Sequence, residues 1–365
     1  VAAVVWANAP FGESYASFWN THINFEIGSF HLEETLGLMV NDGLMTIFFF
    51  VVGLEIKREL AVGELSDAKT AALPAIAALG GMVVPALIYV GFVAGTGGEA
   101  TQGWGIPMAT DIAFSVGVIS LLGKRVPVGA KLFLLTLAIA DDIGAIAVIA
   151  VFYTEDLSLG WLLLAIGGLA VVAVSNRVGI RAMPFYAAVG AAVWFFTFES
   201  GVHATIAGVI LGLQTPARSY AGKGLIGAAL ARAHQVFHGD GWESKSDRAA
   251  RIRKFQFVMR ESISPLEYLE GLLHPWVGFV IMPVFALANA GVPLSASGFG
   301  DPVALAVAAG LVVGKPLGIV GFSWVAVRTG LARLPDGVGW GALLGGGCLA
   351  GIGFTMALFI SGLAL

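Results

Sequence analysis

The chain has 365 residues, of which 57% are hydrophobic and only 12% charged, with a formal net charge of −4. Soluble domains carry about 25% charged residues, so this composition excludes a sizeable soluble domain. The slight negative charge gives no footing for a nucleic-acid partner, and the single cysteine, Cys348, excludes intrachain disulfides and any multi-cysteine metal site.

Apolar runs predict about eleven membrane segments in one all-α polytopic domain over 1–365. They lie near 1–8, 36–56, 70–94, 103–123, 131–154, 158–175, 182–198, 201–214, 272–291, 302–326 and 338–364. The chain opens inside an apolar run (VAAVVWA), so a shortened first helix is expected. Between the first two segments, 22–34 alternates apolar and polar residues around Gly28-Ser29, which predicts a β-hairpin. Nineteen of the twenty lysines and arginines fall in alternate loops at 57–69, 124–131, 176–181, 216–262 and 327–337. The opposite loops hold none, but carry acids such as Glu13, Glu99, Glu199 and Asp301. The positive-inside rule then makes the basic loops cytoplasmic and puts the hairpin on the outer face.

The second segment carries Asp42 near its outer end and Glu55, Lys57, Arg58 and Glu59 at its other end. The fourth contains GWGIPMATDIAFSVG, where Pro107 removes a backbone donor directly before Thr110 and Asp111. In the fifth, the 22 residues from Leu132 to Tyr153 carry only two charges, the adjacent Asp141 and Asp142. One carboxylate at mid-bilayer costs ~2.5–3.5 kcal/mol on insertion scales. Two side by side must face a polar cavity, hold a cation, hold protons, or combine these. Further along, 216–262 is long and basic, with Ile252, Phe255, Val258 and Met259 on one face of a candidate interfacial helix that would meet anionic lipid. A tolerated insertion is the other reading. The twentieth basic residue, Lys315, sits inside the tenth segment, and the last segment is interrupted by Gly345-Gly346-Gly347 and Gly351-Ile352-Gly353.

One lysine cannot neutralise three or four carboxylates, so the intramembrane charges should titrate as a coupled set. Neighbours on a helix point about 100° apart. One of the two aspartates can therefore meet Lys315 while the other faces a cavity. Na⁺ or Li⁺ seeks such hard oxygen ligands, and protons compete for the same oxygens. That mutual exclusion is the minimum chemistry of an exchanger. Paired interrupted helices in two halves of a chain point to the same place, because half-helix ends and freed carbonyls handle ions.

These stretches also resemble a known family. LMVNDGLMTIFFFVVGLEIKREL (38–60), GIPMATDIAFSVGVISLLG (105–123), LAIADDIGAIAVIAVFYT (137–154), SGVHATIAGVI (200–210), LHPWVGF (273–279), FALANAGV (285–292), GKPLGI (314–319) and GIGFTMALFISGLA (351–364) are similar to the NhaA family of bacterial Na⁺/H⁺ antiporters. The resemblance covers nearly the whole chain. It implies an inverted-repeat transporter fold of twelve helices with two interrupted, crossing helices, so a twelfth helix is expected beyond Leu365. It implies that Asp142 binds the ion, that Asp141 pairs with Lys315, that Thr110 supplies a nearby oxygen, and that Asp111 is the charge between the crossed helices. Glu55, Arg58, Glu59, Glu270, His274 and Asp42 match positions tied to pH response. The basic stretch 216–262 is longer than the family linker expected there. The function so implied is electrogenic, pH-regulated Na⁺(Li⁺)/H⁺ exchange in the bacterial inner membrane, with no cofactor, no enzymatic activity, lipid contacts, and the hairpin as a candidate homodimer contact. A proton-conducting membrane subunit and a cation channel are the alternatives, though no repeated pore filter is visible.

Overall fold

A computed structural model of the chain describes residues 1–27, 30–96, 98–154, 157–218, 263–293, 300–335 and 337–365. All eleven expected segments are helical. The first is the short helix α1 (Ala2–Asn8), and the short helix α2 (Glu13–Trp19) and the strands β1 (His22–Ile27) and β2 (Phe30–Thr35) separate it from the rest. The strands pair antiparallel from His22 opposite Thr35 to Ile27 opposite Phe30, as the alternation predicts. Thr35 then caps the first long helix, α3 (Leu36–Val62), its side chain accepting from the Leu38 amide at 3.2 Å. That helix starts where expected but runs one and a half turns further, because Lys57, Arg58 and Glu59 continue its helical path.

Next come α4 (Ala68–Val93) and a 3₁₀ stretch, Gly98–Met108, which leads through the non-helical residues 109–111 into α5 (Ile112–Leu122). Helix α6 (Val128–Phe152) carries Asp141 and Asp142, and α7 (Leu159–Val178), α8 (Met183–Glu199) and α9 (Thr205–Gln214) follow. The interfacial helix expected at 252–259 lies outside the described residues. Helix α10 (Pro265–Asn289) begins earlier than its apolar run, because Ser264 and Glu267 form a reciprocal capping box around Pro265. Helix α11 (Pro302–Arg328) carries Lys315, and the last segment is a pair, α12 (Trp340–Ala350) and α13 (Phe354–Ala364), bent by 47°.

Among the described residues seven helices are long and apolar enough to cross a membrane, and the bent pair makes eight. Three of the seven contain a π turn, at Val40–Leu44, Val277–Ile281 and Gly310–Gly314. No sequence period announces these.

Packing between spans relies on backbone contact, as expected where small residues let helices approach. At the crossing of α3 and α9, a Cβ added at Gly212 would lie 2.8 Å from the Gly53 carbonyl carbon. At the crossing of α4 and α11, one added at Gly318 would lie 2.7 Å from the Gly80 carbonyl carbon. The first contact fixes α9 on α3, and the second holds the lysine-bearing helix against α4. Two apolar clusters flank the region between them. One contains Met45, Phe49, Ile106, Met356 and Phe359, the other Leu134, Leu137, Ile319 and Leu343.

Overpacking a tight crossing costs ~1–3 kcal/mol. Gly212→Val is therefore expected to lower the thermal midpoint of the detergent-purified protein by several degrees. Gly167→Ala, whose added Cβ meets nothing within 4 Å, should leave it near the wild-type value.

Candidate functional site

The site is built where the two interrupted segments cross. Residues 109–111 are outside any helix and Asp111 is extended, so the half-helix α5 starts at mid-segment with free backbone amides. Asp111 is its N-cap, and Oδ1 accepts from the Phe114 amide at 3.1 Å. The same carboxylate also caps the other half-helix. Oδ2 accepts from the Thr355 amide at 3.1 Å and from the Thr355 hydroxyl, at the start of α13. The Asp111 amide donates to the Ile352 carbonyl at 2.8 Å, which ties the two breaks backbone to backbone. One acid thus faces two helix N-termini, each carrying partial positive charge.

The carbonyl ends of the breaks are met by donors. Ser115 Oγ donates to the Leu349 carbonyl at 2.8 Å. Thr110 Oγ1 lies 3.0 Å from the Ala350 carbonyl and 2.6 Å from Asp141 Oδ2, its one proton serving either. Lys315 Nζ donates to the Met108 carbonyl and, at 2.6 Å, to Asp141 Oδ2. Lys315 is fully buried, as are Thr110, Asp111, Asp141 and Asp142.

The adjacent aspartates are therefore unlike. Asp141 Oδ2 takes two donors, from Lys315 and Thr110. Among the described residues, Asp141 Oδ1 and both oxygens of Asp142 are buried and meet no hydrogen-bond donor of the protein. Of the five residues expected at the ion site, three are joined by hydrogen bonds, Thr110 and Lys315 both to Asp141 Oδ2, while Asp111 binds the two half-helix starts beside them. Asp142 is the neighbour left open, and Thr110 contacts Asp141 and not Asp142. Ser115, Thr355 and the Met108 carbonyl also take part in these contacts, although no motif in the sequence singles them out. Ser115 lies one helical turn after Asp111, a spacing that could have marked it.

A second group lies where α3 and α10 meet, at the end of α3 away from Asp42. Arg58 pairs with Glu270 and lies 4.0 Å from Glu59, and His274 Nδ1 is 3.7 Å from Glu55 Oε1. Glu59 Oε2 accepts from the Glu64 amide at 3.0 Å. Five of the six residues matched to pH response thus come together. Asp42 does not join them. It stands 13 residues before Glu55 on the same helix, about 20 Å away at 1.5 Å per residue. Its carboxylate lies 3.9 Å from His203 Nδ1.

Comparison with known proteins gives a consistent answer. The sequence pattern of the Na⁺/H⁺ antiporter 1 family matches residues 1–365. The chain is 52% identical over 364 residues to a protein named Na⁺/H⁺ antiporter NhaA from Rhodopirellula baltica, covering all of this chain and 82% of that protein. It is 50% identical to Na⁺/H⁺ antiporter NhaA 2 of Myxococcus xanthus, covering 99% of this chain and 78% of the other. It is 48% identical to the NhaA of Oleidesulfovibrio alaskensis, with 100% and 82% covered. A match along the whole chain, at about half identity, with an all-α multi-pass fold and two crossed interrupted segments, means that the chain belongs to the NhaA family of Na⁺/H⁺ antiporters.

Proposed function

We propose that this chain exchanges Na⁺ or Li⁺ for H⁺ across the bacterial inner membrane, with Asp142 as the shared ligand for ion and proton. The observation that carries the reading is the open carboxylate of Asp142. A buried ionised carboxylate without donors is costly, and either a proton or a bound cation relieves that cost. Both cannot be satisfied on the same oxygens, so loading one releases the other. Asp141 Oδ1, the third open oxygen, and the Thr110 hydroxyl oxygen complete a hard-oxygen ligand set suited to Na⁺ or Li⁺, the cargo of the reaction.

The Asp141–Lys315 pair supplies the second titrating unit. Arrival of Na⁺ on Asp142 and Asp141 Oδ1 draws Asp141 away from Lys315, which can then release a proton. More than one H⁺ per Na⁺ is exchanged, and transport is electrogenic. The membrane potential, ~2.3 kcal/mol per charge per 100 mV, then drives Na⁺ outward. The group of Glu55, Arg58, Glu59, Glu270 and His274 spans α3 and α10 and serves as the pH-responsive element on the side of the basic loops, which we take as cytoplasmic. The function needs no cofactor. Lipid surrounds the spans, and the hairpin β1–β2 is the surface for a homodimer.

Two measurements in proteoliposomes test this. With an imposed inward pH gradient and a pH-sensitive dye, Na⁺ and Li⁺ but not K⁺ should cause dequenching. Asp142→Asn should reduce the signal to background while leaving the thermal midpoint near wild type. Activity that survives intact in Asp142→Asn places the ion elsewhere, and proton movement indifferent to Na⁺ favours a proton conductor. The second measurement is competition. On the acidic side of the working range the apparent KM for Na⁺ should rise about tenfold per pH unit where Na⁺ displaces the Asp142 proton alone, and up to about a hundredfold where the Lys315 proton is released as well, by mass action. The maximal rate at saturating Na⁺ should change far less. A KM flat in pH would mean separate sites for the two ions.

A further inference from the structure

The segment that delivers Met108 and Thr110 to the site is not an ordinary helix. Gly98–Met108 is an 11-residue 3₁₀ stretch, where runs beyond 3–4 residues are uncommon. A 3₁₀ helix rises about 2.0 Å per residue and an α-helix 1.5 Å, so relaxation of this rod to α geometry would shorten it by about 5 Å. Its inner end would then leave the Asp141–Lys315 pair. Something must hold the rod extended.

Two tyrosines do so, from the two helices that flank it. Tyr89 of α4 donates its hydroxyl to the Ala100 carbonyl at 2.7 Å. Tyr153, which ends α6, donates its hydroxyl to the Gln102 carbonyl at 2.7 Å. The Tyr153 ring rests where Gly105 leaves room, since a Cβ there would lie 2.7 Å from the hydroxyl oxygen. Trp104 meets Phe152 edge to face, with ring centroids 5.0 Å apart. Rod and α6 are thus joined at two points, by Tyr153 at the outer end and by the Thr110–Asp141 bond at the inner end. Tyr153 comes 11 residues after Asp142 in the chain, about three turns. The distance between the two ties sets where Thr110 and the Met108 carbonyl stand relative to Asp141 and Lys315.

We propose that Tyr153, seconded by Tyr89, is a positioning residue for ion binding: its hydroxyl fixes the axial position of the 3₁₀ rod and so the spacing of the oxygens around Asp142. Neither tyrosine touches the ion. The role rests on the assignment of the ion to Asp142, and the controls separate the two.

Removing a hydroxyl and keeping the ring isolates the tie. In Tyr153→Phe the rod must be drawn into place when the ion binds, so the apparent KM for Na⁺ should rise about three- to tenfold, the worth of one hydrogen bond. The maximal rate and the thermal midpoint should stay near wild type. The ratio of Na⁺ to Li⁺ KM should also move, because ions of different radius sense the altered spacing differently. Tyr89→Phe should act in the same direction and the double variant more strongly than either. Tyr89→Phe also carries the test should Tyr153→Phe fail to reach the membrane. A lowered thermal midpoint with an unchanged KM and Na⁺/Li⁺ ratio would make the tyrosines packing residues and overturn the proposal. Asp142→Asn, run alongside, reads the underlying site. Transport lost there with the tyrosine variants unaltered removes the positioning role alone, whereas transport retained in Asp142→Asn removes the ion-site assignment itself.

Discussion

A helix cannot be interrupted inside a bilayer unless every backbone group it frees finds a partner, because hydrocarbon offers none. Here two interruptions share one solution. The Asp111 carboxylate accepts from the amides that open α5 and α13, and its own amide bonds to the Ile352 carbonyl in the opposite break. Two positive half-helix ends would otherwise face each other across a dry gap. The carbonyl ends are answered separately by Lys315, Thr110 and Ser115. Anion meets N-termini and donors meet C-termini, and the crossing holds because the charges are sorted in this way.

The proposed ion site arises from that sorting. Lys315 is needed at the Met108 carbonyl, and its compact ammonium has donors left over for Asp141. An arginine would present a planar fork suited to a bidentate carboxylate and could not serve a lone carbonyl and one oxygen so simply. With Asp141 engaged by the lysine and by Thr110, its neighbour Asp142 points elsewhere by the geometry of the helix and keeps both oxygens open. A fold that supplies partners for the half-helix starts and for the Met108, Leu349 and Ala350 carbonyls but leaves Asp142 and one oxygen of Asp141 bare is breaking a local rule at one place, which is where function is expected.

Much of this is legible in the chain. The apolar runs locate the long helices, though not the short α2, the loop charges give the alternation, and Asp141-Asp142 in an otherwise uncharged span marks the centre. Pro107 and the glycines around Ile352 mark both breaks. What the breaks do to each other is not legible. Asp111 and Thr355 stand 244 residues apart, and no local pattern tells that one carboxylate caps two helices. The pairing of Asp141 with Lys315, and the choice of which aspartate stays free, come with the family resemblance and agree with the geometry. The 3₁₀ rod is hidden because it joins the polar end of an outer loop, GEATQ, to the start of an apolar run, GWGIPM, and neither half carries a 3₁₀ signature. Asp42 stands apart from the other five. Its resemblance to a pH-linked position carries no information about distance, and a helix puts it several turns from Glu55.

The aim of Lys315 depends on one of the π turns. Such a turn inserts one residue into the helical register and rotates the rest of the helix by about 100°. The turn at Gly310–Gly314 stands directly before Lys315, so the direction of the lysine is set there. Its two bounding glycines pack against prolines of the 3₁₀ rod and of α4. A Cβ at Gly310 would lie 2.7 Å from Pro107 Cβ, and one at Gly314 3.0 Å from Pro85 Cα. Pro107 is also the residue that opens the break before Thr110. The same proline therefore interrupts one segment and seats the wound-out turn that aims the lysine of the other. Break, lysine and paired aspartates are one mechanical unit, and a displacement of Pro107 would reach the Met108 carbonyl, Lys315 and Asp141 together.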